Sequence, residues 1–173
     1  MKEYIVTYYE NTSIYYAQYH NHKEISAWAG LVLHLLFCQL NFQISFNKDI
    51  LLIGTFTSSI FTLIVAFLVF LYIKNQLLMK DIAGAHTAAS KILLSEVIQT
   101  SEEIIDVNKY MKIEDSADTQ SQASHVLPMI LLKKSEIINS RGRGFQDKTK
   151  WMIYSLLIFS TFSTIGYKIL ILL

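Results

Sequence analysis

The chain is 173 residues long, 52% hydrophobic and 17% charged, with a formal net charge of +1. An ordinary soluble domain carries about 25% charged residues. That deficit, a mean hydropathy of +0.34 and only one proline and six glycines exclude a disordered chain, a loop-rich β protein and a soluble nucleic-acid binder. A lone Cys38 excludes a disulfide scaffold and, inside an apolar run, reads as a small buried side chain.

In chain order, residues 1–24 come first. Six of the ten tyrosines lie here: Tyr4, Tyr8, Tyr9, Tyr15, Tyr16 and Tyr19. Helical spacing relates Tyr8, Tyr15 and Tyr19 on one face and Tyr9, Tyr16 and His20 on another. Amphipathic rings suit the water–lipid boundary. The pattern predicts a packed juxtamembrane helix, capped at Asn11 or Ser13 and running into the first span. The Met-Lys-Glu-Tyr start lacks the apolar core of a cleavable signal peptide, so insertion is expected to use an internal span. Asn11-Thr12-Ser13 matches a glycosylation sequon, which a cytoplasmic N-terminus makes meaningless.

Three stretches are apolar enough to span a bilayer. Residues 50–73 contain 24 residues and no charge, where about 20 suffice to cross the hydrocarbon core. Residues 151–173 are broken only by Lys168, which is expected to snorkel to the nearby interface. Residues 25–46 are weaker, because His34, Gln39, Asn41 and Gln43 interrupt them; such side chains are expected to face a bundle interior. An interfacial or re-entrant helix is the alternative for this segment. Only Asn47, Lys48 and Asp49 join the first two spans, which implies an antiparallel pair.

Residues 74–150 carry 11 of the 15 Lys and Arg. By the positive-inside rule this segment is cytoplasmic, as is the N-terminus, and the C-terminus lies outside. Trp151, Tyr154 and Tyr72 suit the cytoplasmic aromatic belt. The second helix is expected to continue past the membrane. Leu78, Ile82, Ala85, Ala89, Leu93, Val97, Thr100, Ile104, Val107 and Met111 recur at a mean spacing of 3.67 residues, favouring a straight or slightly right-handed bundle. A helix over 50–111 would be about 93 Å long. Such a stripe must be covered, either by another segment of the chain or by another copy. The small residues of AGAHTAAS (83–90) suit close approach between copies. IEDSADTQSQASH (113–125) reads as a loop. Pro128 then opens a short amphipathic helix, MILLKKSEIIN (129–139), whose Ile130, Leu131, Ile137 and Ile138 would close a cytoplasmic helical hairpin. SRGRG (140–144) turns the chain back to the membrane; Arg141 and Arg143 set orientation, and without interleaved aromatics they do not indicate nucleic acid. The expected fold is therefore an all-α integral membrane protein: three transmembrane helices with a long cytoplasmic helical hairpin between spans 2 and 3.

The most distinctive string is YHNHKEISAW (19–28). On a helix His20, Lys23 and Glu24 share a face while His22 points elsewhere. Three readings compete: a metal site from His20 and Glu24 with a neighbouring chain, a pH switch formed by His20, His22 and the intramembrane His34, and a structural polar network at the membrane boundary. No third metal ligand is visible. This string, followed by three spans and a long cytoplasmic insert, resembles small bacterial inner-membrane proteins of the RipA type. The resemblance implies a homo-oligomer, an octamer, in a Gram-negative inner membrane with no assigned reaction, and it carries over no catalytic residue.

Thr55, Ser58, Ser59 and Thr62 form a hydroxyl stripe on the second span; Ser160, Ser163, Thr164 and Gly166 form one on the third. They suit helix packing or, in a ring of copies, a pore. No phosphate loop, metal motif or nucleophile–base pair stands at recognisable spacing. The expected function is a homo-oligomeric bacterial membrane scaffold or regulator without cofactor or catalysis. Its expected partners are lipids, itself and an unidentified membrane or cytoplasmic protein. The alternative is an oligomeric ion channel or membrane-perturbing effector, gated by pH through the histidines.

Overall fold

With its only proline at 128 and few glycines, the chain has little to interrupt helix propagation. A computed structural model describes residues 1–112, 127–140 and 147–171, and these are all-helical, with no strands. Five α-helices follow in order: α1 (Lys2–Gln43), α2 (Leu51–Gln99), α3 (Val107–Met111), α4 (Met129–Ser140) and α5 (Lys148–Leu170). Helices α1, α2 and α5 are each long and apolar enough to cross a membrane. The expected loop at 113–125 and the arginines Arg141 and Arg143 lie outside the described residues.

Three boundaries differ from expectation. First, the tyrosine-rich helix runs into the first span as expected but starts at Lys2, so that α1 is one helix of 42 residues. Asn11 and Ser13 therefore lie mid-helix and cap nothing. Hydropathy changes near residue 24, but a helix satisfies its own backbone in either solvent, so the ladder does not stop. Second, α2 ends at Gln99 rather than 111. The residues beyond are Ser101, Glu102 and Glu103, and acidic side chains oppose the negative end of the helix dipole. Lys2 supplies the favoured charge instead: its Nζ donates to the carbonyls of Ile98 (2.9 Å) and Thr100 (2.7 Å). Asp106 then starts α3 by accepting from the amides of Asn108 and Lys109. Third, α1 unwinds early, so residues 44–47 and a 3-10 turn at Lys48–Ile50 make the link to α2. Helix α5 begins at Lys148, where the Asp147 carboxylate accepts from the Thr149 amide at 3.0 Å.

The chain divides into two compact units. The first comprises Met1–His22 and Met79–Phe145. Its core gathers Ile5 and Tyr9 from α1, Ala89, Leu93 and Val97 from α2, Tyr110 from α3, and Leu127 and Leu131 around the start of α4. Burying each such large side chain contributes about 1.5–3 kcal/mol. The Tyr9 hydroxyl donates to the Tyr110 carbonyl at 2.6 Å, and burial pushes its phenol well above the usual range. Lys134 of α4 pairs with Glu96 of α2.

The second unit comprises Lys23–Leu78 and Gln146–Leu173. Here α1 and α2 run in opposite senses: Gly30 lies against Tyr72 and Ile73, while Asn41 meets Ser58 and Thr62. Ala27, Leu31, Ile73, Leu77, Ile153 and Leu157 form an apolar layer shared by α1, α2 and α5. Most of the remaining interior is polar.

Candidate functional site: the polar interior of the three apolar helices

In the second unit, buried side chains of α1 fall at Ala27, Leu31, His34, Cys38 and Asn41, the alternating four- and three-residue steps of a packed helix face. On α5 the same face carries Ile153, Leu157, Thr161, Thr164 and Lys168. On α2, Thr55, Thr62 and Ala66 are buried. Outside the bundle the chemistry reverses. Phe56, Phe67, Leu68, Phe159 and Phe162 are each 60% or more exposed, while His34 and Thr164 are fully buried.

The interior groups are matched in a definite order. Thr161 donates its hydroxyl proton to the Leu157 carbonyl (2.7 Å). Its oxygen is then an acceptor for His34 Nε2 at 3.0 Å. This arrangement suits the neutral tautomer that carries its proton on Nε2. Cys38 Sγ lies 3.4 Å from the same nitrogen. The ring's Nδ1 is buried with no hydrogen-bond partner among the described residues. A second set closes on itself. The Asn41 amide donates to Thr62 Oγ1, Thr62 donates to the Ser58 carbonyl (2.8 Å), and Ser58 donates to Asn41 Oδ1 (2.7 Å). At the end of the bundle Lys168 donates to the Ile44 carbonyl, and its ammonium stands 5.3 Å from the Phe46 ring centroid. Lys168 was expected to snorkel outward. It is instead 2% exposed, because the unwinding of α1 after Gln43 leaves the Ile44 carbonyl without a helical donor.

The other predicted site residues are placed as follows. His20 is half-buried in the first unit, its ring against Gly84, with Nδ1 3.4 Å from Asn21 Oδ1. His22 is exposed, Lys23 and Glu24 are half-buried, and none of the three is without a partner. His34 belongs to the second unit, His20 and His22 to the first. Among the described residues no three His, Cys, Asp or Glu side chains gather to hold a metal. The expected stripe between copies is largely used within the chain. Ala85, Ala89, Leu93 and Val97 are buried in the first unit. Leu78 and Ile104 are exposed, and Ile82 lines a cavity of about 250 Å³ with Tyr15, Tyr16, Tyr19 and His86. His86 was not singled out from the sequence. Its ring stands 4.7 Å from that of Tyr16, and burial pushes the imidazole below its usual proton affinity. Asn41 and Lys168 were visible only as interruptions of apolar runs; the partners that give them meaning are remote in sequence.

The fold and this interior define a helical protein with three candidate transmembrane helices. No family model matches the chain, and no curated protein or solved structure is similar to it.

Proposed function

We propose that the protein is a homo-oligomeric integral membrane scaffold or regulator without catalytic activity, resident in a bacterial cytoplasmic membrane. The inverted polarity of the second unit carries this reading: large apolar side chains outside, His34, Asn41, Thr62 and Lys168 inside. Water would penalise that surface, whereas lipid favours it, and polar side chains then act as links between helices. The basic residues of 74–150 support a cytoplasmic position for that segment and an outer position for the C-terminus. Self-association draws support from the resemblance to the RipA type. It also draws on apolar side chains of the first unit that the chain leaves uncovered, including Tyr4, Ile14, Ile92 and Ile98, each 45% or more exposed. Light scattering or mass photometry of nanodisc-embedded protein tests it: a discrete oligomer is expected, and a monomer overturns it. Alkaline carbonate should leave the chain in the membrane fraction; its release would refute insertion.

The bare Nδ1 of His34 favours a second reading, a channel or membrane-perturbing effector gated by pH. That reading requires ion flux through proteoliposomes that responds to acid and loses the response in His34→Ala. A scaffold leaves the vesicles ion-tight at every pH. The hydroxyl oxygens of Thr62 and Thr161 meet Asn41 and His34 of α1 within one chain, which supports the scaffold.

A further inference from the structure

Lys168 is a cation buried at the end of the second unit, and among the described residues no carboxylate pairs with it. An ammonium has three donors. One is taken by the Ile44 carbonyl, and the Phe46 ring faces the charge. The side chain also lines a cavity of about 240 Å³, where Gln43, Ser45 and Tyr167 add polar groups. A second cavity adjoins this one, sharing Ile44 and Phe46. It is an open groove of about 640 Å³ between the end of α1 and the start of α2, walled by Phe37, Leu40, Ile53 and Phe61. Its volume lies within the range of ordinary ligand sites. Gly54 makes room for the ring that joins the two: a Cβ there would stand 2.5 Å from Phe46 Cδ1.

A buried positive charge at one end and a long apolar groove at the other describe an amphiphile with an anionic head. We propose that this is a binding site for an anionic phospholipid, its phosphate on Lys168 and an acyl chain in the groove. The proposal rests on insertion of the second unit in the membrane, where it places the site at the level of the lipid headgroups. The phosphate takes the donors of Lys168 that the protein leaves open, and it supplies the counter-charge that the fold omits. The acyl chain covers Phe37, Leu40 and Phe61, which a three-helix bundle leaves without a helix to cover them. Basic pockets between helices are a known means of selecting anionic lipids over zwitterionic ones.

Native mass spectrometry of the full chain in detergent tests the site, with dioleoylphosphatidylglycerol, dioleoylphosphatidylethanolamine and inorganic phosphate as probes. The wild type should retain phosphatidylglycerol in preference to phosphatidylethanolamine. Lys168→Met keeps length and apolar packing but removes the charge, and should reduce phosphatidylglycerol retention about tenfold, the worth of one charge-assisted hydrogen bond. Thr57→Phe, which fills the groove from an exposed lining position, should weaken retention with Lys168 intact, and it serves if the lysine variant does not fold. Equal retention of the two lipids by the wild type overturns the proposal, as does undiminished retention in the variants. Displacement of the lipid by millimolar inorganic phosphate would assign the cavity to a free anion and overturn the acyl half. A chain that resists carbonate extraction yet holds no phosphatidylglycerol refutes this inference alone. Release by carbonate refutes the membrane reading beneath it.

Discussion

Replacing Asn41 by leucine isolates the polar link between α1 and α2. Asn41 gives one hydrogen bond to Thr62 and receives one from Ser58. Interhelical bonds of this kind are worth about 0.6 kcal/mol on average and up to about 1.7 kcal/mol each. Two of them bound the loss between about 1 and 3 kcal/mol. The structure argues for the lower end. Thr62 keeps its own bond to the Ser58 carbonyl, and the freed Ser58 hydroxyl can rotate to a carbonyl one turn back in α2. Leucine keeps the branched shape and is larger than asparagine, so no cavity adds to the loss. Unfolding in mixed micelles by added dodecyl sulfate, followed by far-UV circular dichroism, should put Asn41→Leu about 1 kcal/mol below the wild type. The triple variant Asn41→Leu, Ser58→Ala, Thr62→Val should recover most of that, because it leaves no buried group without a partner. A triple variant as unstable as the sum of its single changes would refute the reasoning. It would mean that packing at these positions, rather than hydrogen bonding, holds the pair together.

The other predictions concern the first unit. Ala89→Leu should lower stability by about 1–3 kcal/mol by overfilling a closed core, read by thermal unfolding of the solubilised protein, whereas Ile92→Lys with Ile98→Glu should change the particle mass and leave the melting temperature nearly unaltered. Lys2→Met removes the charge that binds the last carbonyls of α2. It should speed amide exchange in the last turn of α2 and destabilise it by about 0.5–1 kcal/mol, while unaltered protection would show the contact idle. Burial holds the His86 imidazole below its ordinary value of 6.5. The unfolded chain therefore binds the extra proton first, and stability should fall as the pH drops below that value. His86→Phe should flatten the acid limb of the stability profile, and an unchanged limb would locate the dependence elsewhere.

How far the sequence could be read depended on which force set each feature. The apolar run at 50–73 needs only the demand of hydrocarbon for about 20 uncharged residues, so α2 was plain. The stripe from Ala85 to Val97 was equally plain as a spacing. What covers it was not, because spacing records that a face is buried and says nothing of the covering partner. The structure sets Ile5 and Tyr9, some eighty residues upstream, against Leu93. Lys168 was misread for a related reason. A lysine near a helix end snorkels unless an acceptor lies closer than water, and the acceptor here is a carbonyl freed by the unwinding of another helix at Ile44. The end of α2 at Gln99 was partly legible, since Glu102 and Glu103 disfavour a helix C-terminus, but periodicity alone carried the stripe past them. The hairpin link was read too short because Ile44 and Phe46 look like span residues, whereas the backbone has already left the helix there.

On the proposed membrane placement, the same helices meet two opposite solvents. In the first unit α1 turns Ile5 and Tyr9 inward and leaves Glu3, Glu10 and Asn11 exposed, the ordinary arrangement in water. In the second unit α1 turns His34 and Asn41 inward and leaves Val32, Leu33 and Leu36 exposed. An amphipathic pattern summed over the whole of α1 therefore nearly cancels, and no search for a single apolar face along its 42 residues could find one. What persists is the repeat of three and four residues that any packed helix needs. On α1 the interior stays apolar through Ala27 and Leu31 and turns polar from His34 onward. On the proposed membrane placement, one continuous helix thus exchanges an apolar inside for a polar one beyond the YHNHKEISAW string, without breaking its backbone ladder.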